Sequence, residues 1–417
     1  MEQLDHPVRD AAAQACAGKN EEVDRLRSNP TRVLLIGVLP LWADRGDSIH
    51  MREIAVGLQN FNINPVVLCL PGPQAPVGST LQEVRVQPWH RRFAFQLSWN
   101  LLGTIAAVRT IRAQKVEVIY SRLDPGMVVG WLASLLTNRP LVVEMNGLPS
   151  EDMRIQRPNK FFQQAITARW EKLMYQVARI VVGSPGYLRY INENFQITSD
   201  KCWPVPLGYN SELFYPRSRK VCREALNLSD SPLVVWMGNL TVWQGLETLM
   251  KSAVMLKDRL PNARIILVGD GISRKMCEQF IQDEKLHSTV TLVGHVQYED
   301  VPVYLGAADV CVASFPGNRG TPGTISALKT VSYLGCGRPV VTTAMDELGI
   351  TIQTAGAGFC VAPDNPKALA QALGDLLEES QEENNLRGLR AHEIVADGGS
   401  WDHAAGRIAA CLQAVVR

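Results

Sequence analysis

Lys329 stands where a short helix begins, in a stretch, residues 324 to 343, that runs on through a Gly-Pro turn into a buried strand. In a doubly wound sheet such a helix start faces a ligand, and its free N–H groups together with an ammonium suit an anion such as phosphate. The plain alternative is a solvated helix lysine. His50 follows a polar turn, Asp44 to Ser48, that contains Gly46 and Asp47. It reads either as an exposed helix histidine or as a contact to phosphate or sugar. Glu144 follows three apolar strand residues, so it is either a buried, paired carboxylate or a ligand for a substrate hydroxyl. Each of these groups suits the handling of a phosphorylated, hydroxyl-bearing substrate.

Several chemistries are excluded. No Asp-x-Asp, His-x-x-x-His or Cys-x-x-Cys pattern occurs, so no metal and no required cofactor is expected. Gly269-Asp270-Gly271 could open a dinucleotide fingerprint, but Arg274 occupies the sixth position, where glycine is needed. That removes an oxidoreductase. With 42 Lys and Arg against 41 Asp and Glu, the chain lacks the charge of a nucleic-acid binder. Its nine cysteines are scattered, some within apolar runs such as those around Cys69 and Cys311, as expected of buried thiols in a reducing compartment. No apolar run approaches the roughly 18 to 20 residues that span a bilayer, and the N-terminus is polar, so a cytoplasmic protein is expected. Trp89, Arg91, Arg92, Phe93, Phe95 and Trp99 precede an apolar helix; segment 89–115 is read as packed on its own domain or as a peripheral membrane contact.

The elements that position these groups follow from periodicity. A chain of 417 residues, 46% apolar, exceeds what one core usually organises. Residues 1–31 lack apolar patterning and read as an arm. From Arg32, short β-rich runs (33–39, 66–70, 116–120, 141–143, 180–182) alternate with helical patterns, and after a Pro- and Gly-rich stretch the alternation restarts (233–237, 265–268, 290–293, 310–313, 340–342). Such alternation means parallel sheets built from βαβ units. The expected division is 32–207, 208–395 and a C-terminal helix, 396–417, crossing back to the first domain. Gly208 is expected to need backbone conformations closed to other residues.

Ser326, Ala327, Leu328, Lys329, Tyr333, Leu334, Cys336, Gly337, Pro339, Val340 and Val341 resemble the donor-nucleotide segment of the retaining glycosyltransferases of family 4. The likeness extends to Gly46–His50, Ile119–Arg122, Val143–Gly147, the hinge Leu207–Asn210, Met237–Gly245, Gly269–Gly271 and Ala307–Val310. It implies a GT-B fold, two facing Rossmann-like domains around a cleft, and sugar transfer from a nucleoside-diphosphate donor to an unidentified hydroxyl acceptor. The family's paired glutamates are Thr324 and Ser332 here, its Arg and Lys are Asn239 and Gln244, and its first-domain histidine is Asn146. By resemblance Gly46, Asp47, Gly238, Asn239, Gln244, Gly269, Gly271, Arg319, Thr324, Ser326, Lys329 and Ser332 face the donor. Arg122, Glu144 and Asn146 face the acceptor, with Asn146, His50 and Lys329 catalytic. In a divergent enzyme Lys329, Arg319 or Arg122 supplies the lost charge; the alternative is a noncatalytic paralogue that binds a partner or a glycan.

Overall fold

Thr31–Pro40 (β1) carries Val33, Leu34, Leu35 and Ile36 in an unbroken apolar run, and all four are buried. A strand covered by helices on both faces has no polar side, which is why the run does not alternate. The computed structural model describes residues 30–89, 92–156, 159–317 and 328–416. Within them β1, Ile63–Leu70 (β2), Gln82–Arg85 (β3), Val118–Arg122 (β4), Leu141–Glu144 (β5), Ile180–Gly183 (β6) and Cys202–Pro204 (β7) form one sheet, ordered β3-β2-β1-β4-β5-β6-β7. Leu233–Met237 (β8), Arg264–Val268 (β9), Val290–Gly294 (β10), Val310–Ala313 (β11), Val340–Thr343 (β12) and Gly358–Val361 (β13) form a second, ordered β10-β9-β8-β11-β12-β13. All strand pairings in both sheets are parallel. Parallel strands put all their C-terminal ends on one edge, where ligands of doubly wound sheets bind.

Periodicity misses β3, β7 and β13, and each lies at the edge of its sheet. Their sequences, Gln-Glu-Val-Arg, Cys-Trp-Pro and Gly-Phe-Cys-Val, contain polar, proline or glycine residues that a central strand excludes. An edge strand held by its backbone bonds to one neighbour can tolerate such residues; the fourth edge strand, β10, is Val-Thr-Leu-Val-Gly and is legible in the sequence.

The two domains are tied where the chain leaves the first sheet and where it returns. Tyr209 donates its N–H to Gly399 O at 2.8 Å, and Trp401 donates to Tyr209 O at 3.0 Å. The outgoing and returning segments therefore pair like strands. Ser400 Oγ then accepts the His403 N–H at 3.2 Å and caps the helix Trp401–Val416. That helix lies against the first domain, with Trp401, Ala404, Ile408 and Leu412 in one core with Met51, Ile54 and Leu58 of the helix Gly46–Gln59. Asn210 forms a turn by accepting from Glu212 and Leu213 N–H, and also donates to Glu53 Oε1 at 3.2 Å. Gly208 differs from the sequence expectation. Its φ lies outside the left-handed region; a Cβ there would instead lie 2.4 Å from the Trp401 ring.

Gly208→Val is therefore expected to destabilise the protein by about 1–3 kcal/mol through overpacking. In denaturant titrations the loss should be partly non-additive with Trp401→Leu, which removes the ring contacts and leaves that with the Trp401 Cα at 2.9 Å. Additive losses would refute a contact with Trp401 as the cause.

Candidate functional site

The first-domain half gathers at the C-terminal ends of β4, β5 and β6. Arg122 and Glu144 are register partners on β4 and β5, and Glu144 pairs in turn with Val182 on β6. His50 lies on the helix Gly46–Gln59 one turn before Ile54, on the buried side. Its Nε2 is 2.8 Å from Glu144 Oε1, and both side chains are nearly inaccessible, at 7% and 4% exposure. The Trp401 ring meets the His50 ring edge-on at 4.9 Å. The sequence expectation of a His50 on the polar face is thus corrected: the returning helix covers that face. Glu144 is buried and paired with His50. Burial pushes the Glu144 carboxyl up, but the charge and hydrogen bond of His50, followed by Asn146 and Arg122, outweigh it. They hold the group well below its ordinary 4.5. Arg122 also pairs with Asp124 at 3.5 Å, and Asp124 accepts the Val38 N–H. Gly46 opens its helix with no atom within 4 Å of where a Cβ would stand. Asp47 is bound to Arg45 at 2.8 Å.

The second-domain half centres on Lys329, which is only 8% exposed. Its ammonium lies over the rings of Trp236, at 4.3 Å, and Phe315, at 5.1 Å, and donates to Gln244 Oε1. The Gly238 turn is alongside, since a Cβ there would be 3.6 Å from Lys329 Nζ. The loops after β8 and β9 interlock: Gly238 donates to Val268 O and Leu240 to Asp270 O, both at 2.9 Å. Gly269 is held at φ +134°, and a Cβ on it would fall 1.9 Å from Gly238 O. Glycine is needed there for backbone to meet backbone. Asn239 is exposed on this rim, with its Oδ1 against Gly271. Ser332 turns its hydroxyl onto its own helix, donating to Leu328 O at 3.1 Å. Arg319, Thr324 and Ser326 lie outside the described residues.

Between the halves is a cavity of about 260 Å³, with Ser184, Pro206 and Leu207 on one side and Val331, Glu347 and Leu348 on the other. Sequence reasoning missed Trp236, Phe315 and Trp401 as parts of the site. Trp236 carried one signal, an indole inside the aliphatic strand Leu-Val-Val-Trp-Met; the partners of the other two are set by the tertiary fold.

Residues 45–213 match the family described as Glycosyltransferase Family 4, and residues 231–379 that described as Glycosyl transferases group 1. The chain is a family 4, group 1 glycosyltransferase. This family 4 chain is 24% identical to a D-inositol 3-phosphate glycosyltransferase of Paenarthrobacter aurescens, over 86% of the chain and 90% of that protein. It is 26% identical to a GDP-mannose-dependent alpha-(1-6)-phosphatidylinositol monomannoside mannosyltransferase of Mycolicibacterium smegmatis, over 50% of the chain and only 55% of that protein. Among solved structures, sucrose-phosphate synthase from Thermosynechococcus elongatus superposes with a TM-score of 0.78 at 21% identity, over 92% of this chain and 98% of that one. HepE of Anabaena in complex with UDP gives 0.72 at 18%, over 92% and 100%. At these identities the structural neighbours establish the fold, GT-B.

A lowered carboxylate pKa in the folded state means that Glu144 adds stability above its unfolded value, and that this is lost as pH falls from about 4.5 through the lowered native value. Thermal midpoints of the wild type and Glu144→Gln should therefore differ at neutral pH and converge as the medium is acidified. A gap that does not change with pH would show that the charge on Glu144 plays no part.

Proposed function

We propose that this protein transfers a glycosyl group from a nucleoside-diphosphate sugar to a hydroxyl acceptor, with retention and without a metal. The observation that carries the reading is the placement of Lys329. A departing diphosphate needs positive charge or aligned N–H groups, and the two family positions that supply it are Asn239 and Gln244 here. The Lys329 ammonium bonds to Gln244 itself, so a cation reaches the same place from the helix Leu328–Gly335. Burying an ammonium is costly; two aromatic faces and an amide oxygen offset that cost. Gly46, Gly238, Asn239, Gln244 and Lys329 would line the donor side, with His50, Glu144, Asn146 and Arg122 toward the acceptor. A relative that uses GDP-mannose and a neighbour bound to UDP support a nucleoside-diphosphate donor.

A panel of UDP-, GDP- and ADP-sugars scored by thermal shift tests this, since a ligand at 100 times its Kd stabilises by about 2.7 kcal/mol. No response to any member, with no diphosphate release, would favour a noncatalytic protein. Lys329→Ala should weaken donor binding or turnover by about 1.5–3 kcal/mol. Gln244→Lys in the wild-type background should also impair it, by setting two ammonium groups against each other. Combining Gln244→Lys with Lys329→Gln should restore much of the loss. Improvement by Gln244→Lys alone would mean that the site has decayed and was not rebuilt around Lys329.

We further propose that the acceptor is met at an anionic lipid surface. No helix among the described residues is long and apolar enough to cross a membrane. The helix Arg92–Gln114 nevertheless points Leu97, Leu101 and Ile105 outward, at 68%, 55% and 42% exposure and four-residue spacing. Exposed Arg109 and Arg112 follow, and the helix contains no Asp or Glu. Leu135 and Leu136, on the helix Val129–Thr137 packed beside it, are exposed as well. The protein should co-sediment with vesicles containing anionic lipid, less so at high salt, and Leu101→Ser with Ile105→Ser should abolish this. Equal recovery with neutral vesicles, or none with either, would refute the contact.

A further inference from the structure

At the far edge of the second sheet, Arg217, Arg219, Arg223 and Arg338 gather around one carboxylate, Asp309. Asp309 precedes β11 and Arg338 precedes β12, so both stand at the N-terminal ends of parallel strands, opposite the C-terminal ends that gather the candidate site. Asp309 is fully used. Its Oδ1 pairs with Arg219 at 3.0 Å, and its Oδ2 accepts from Arg223 and from the Leu233 N–H, both at 2.7 Å. Asp230, 4.0 Å from Arg223, is wholly exposed. Arg217 and Arg338 are left without a carboxylate partner among the described residues. Arg338 is only 6% exposed; its Nη2 donates to Arg217 O at 2.6 Å, and its Nε is buried and unpartnered. Arg217 donates to Leu213 O at 3.1 Å and stacks on the Tyr215 ring at 4.3 Å, and its Nε is likewise unpartnered. The two guanidiniums flank the same thiols: burial pushes Cys222 and Cys336 up, and both arginines oppose it. Buried charges are ordinarily paired, because leaving one alone in a low dielectric is costly.

We propose that Arg217 and Arg338 bind a phosphate group, either the free ion or one carried on a small molecule. Two unpaired guanidiniums match a dianion, where chloride or a carboxylate would neutralise only one of them. Their planar forks also present paired N–H donors to the oxygens of a phosphate. Arg217 is half-buried and Ser218 beside it is exposed, so the site is open to the surface. Lys329 lies in the first turn of the helix Leu328–Gly335 and Arg338 just past its last, about 12 Å along the axis. The site is therefore separate from Lys329, and it does not rest on the glycosyl-transfer reading.

Thermal midpoints of the full chain in inorganic phosphate, against chloride at the same ionic strength, test this. Phosphate should raise the wild-type midpoint by several degrees and reach saturation. The rise should vanish in Arg217→Gln and survive in Lys329→Ala. No rise, a rise kept by Arg217→Gln, or one lost with Lys329→Ala overturns the proposal; the last would put the phosphate at Lys329 instead. Glycerol phosphate, as a second probe, separates the two sources. Half-saturation at a lower concentration than inorganic phosphate marks a phosphate ester as the ligand, and the reverse order marks the free ion. Should Arg217→Gln fail to fold, wild-type crystals soaked in phosphate decide. Tetrahedral density within hydrogen-bond distance of both guanidiniums supports the site, and density only elsewhere, or none, overturns it.

Discussion

The Trp401 indole stands where the chain comes back from the second domain, and both halves of the molecule depend on what it touches. One side fills the space over Gly208, where no side chain fits. Its ring edge meets His50, and its backbone N–H completes the pairing of the outgoing and returning segments. The indole therefore helps seal the His50–Glu144 pair from water.

The charges in the two halves are handled in different ways. In the first domain a carboxylate at the end of a central strand is stabilised by a neighbouring ring and by Arg122 on the adjacent strand. Inside a low-dielectric wall such a pair is costly to leave half-made, which gives His50 and Glu144 a fixed mutual geometry. In the second domain the buried ammonium of Lys329 is held by two rings and an amide. A point charge on a flexible stem can approach from another element where a planar guanidinium could not.

The loops of the second domain show the same economy. Glycines at 238, 269 and 271 suggest backbone approach to a ligand, yet Gly269 is already required by contact with Gly238 O. The Gly-Asp-Gly turn thus shapes the rim by backbone contact with the loop after β8. The thiols are equally structural: the eight cysteines among the described residues are unpaired, and six are buried.

The sequence by itself determined the two runs of apolar strands, their parallel pairing through helical crossovers and the family likeness. These are local properties, written in composition and spacing. It was silent on β3, β7 and β13, whose polar, proline and glycine residues break the apolar pattern and which backbone bonds to one neighbour hold at the sheet edges. Only the tertiary structure decided that His50 is buried, since its cover comes from a helix some 350 residues further along the chain. The same holds for the Gln244–Lys329 contact, which joins residues 85 positions apart. Burial and charge pairing depend on which distant surfaces meet, and that is set by the packing of whole elements, where spacing along the chain has no say.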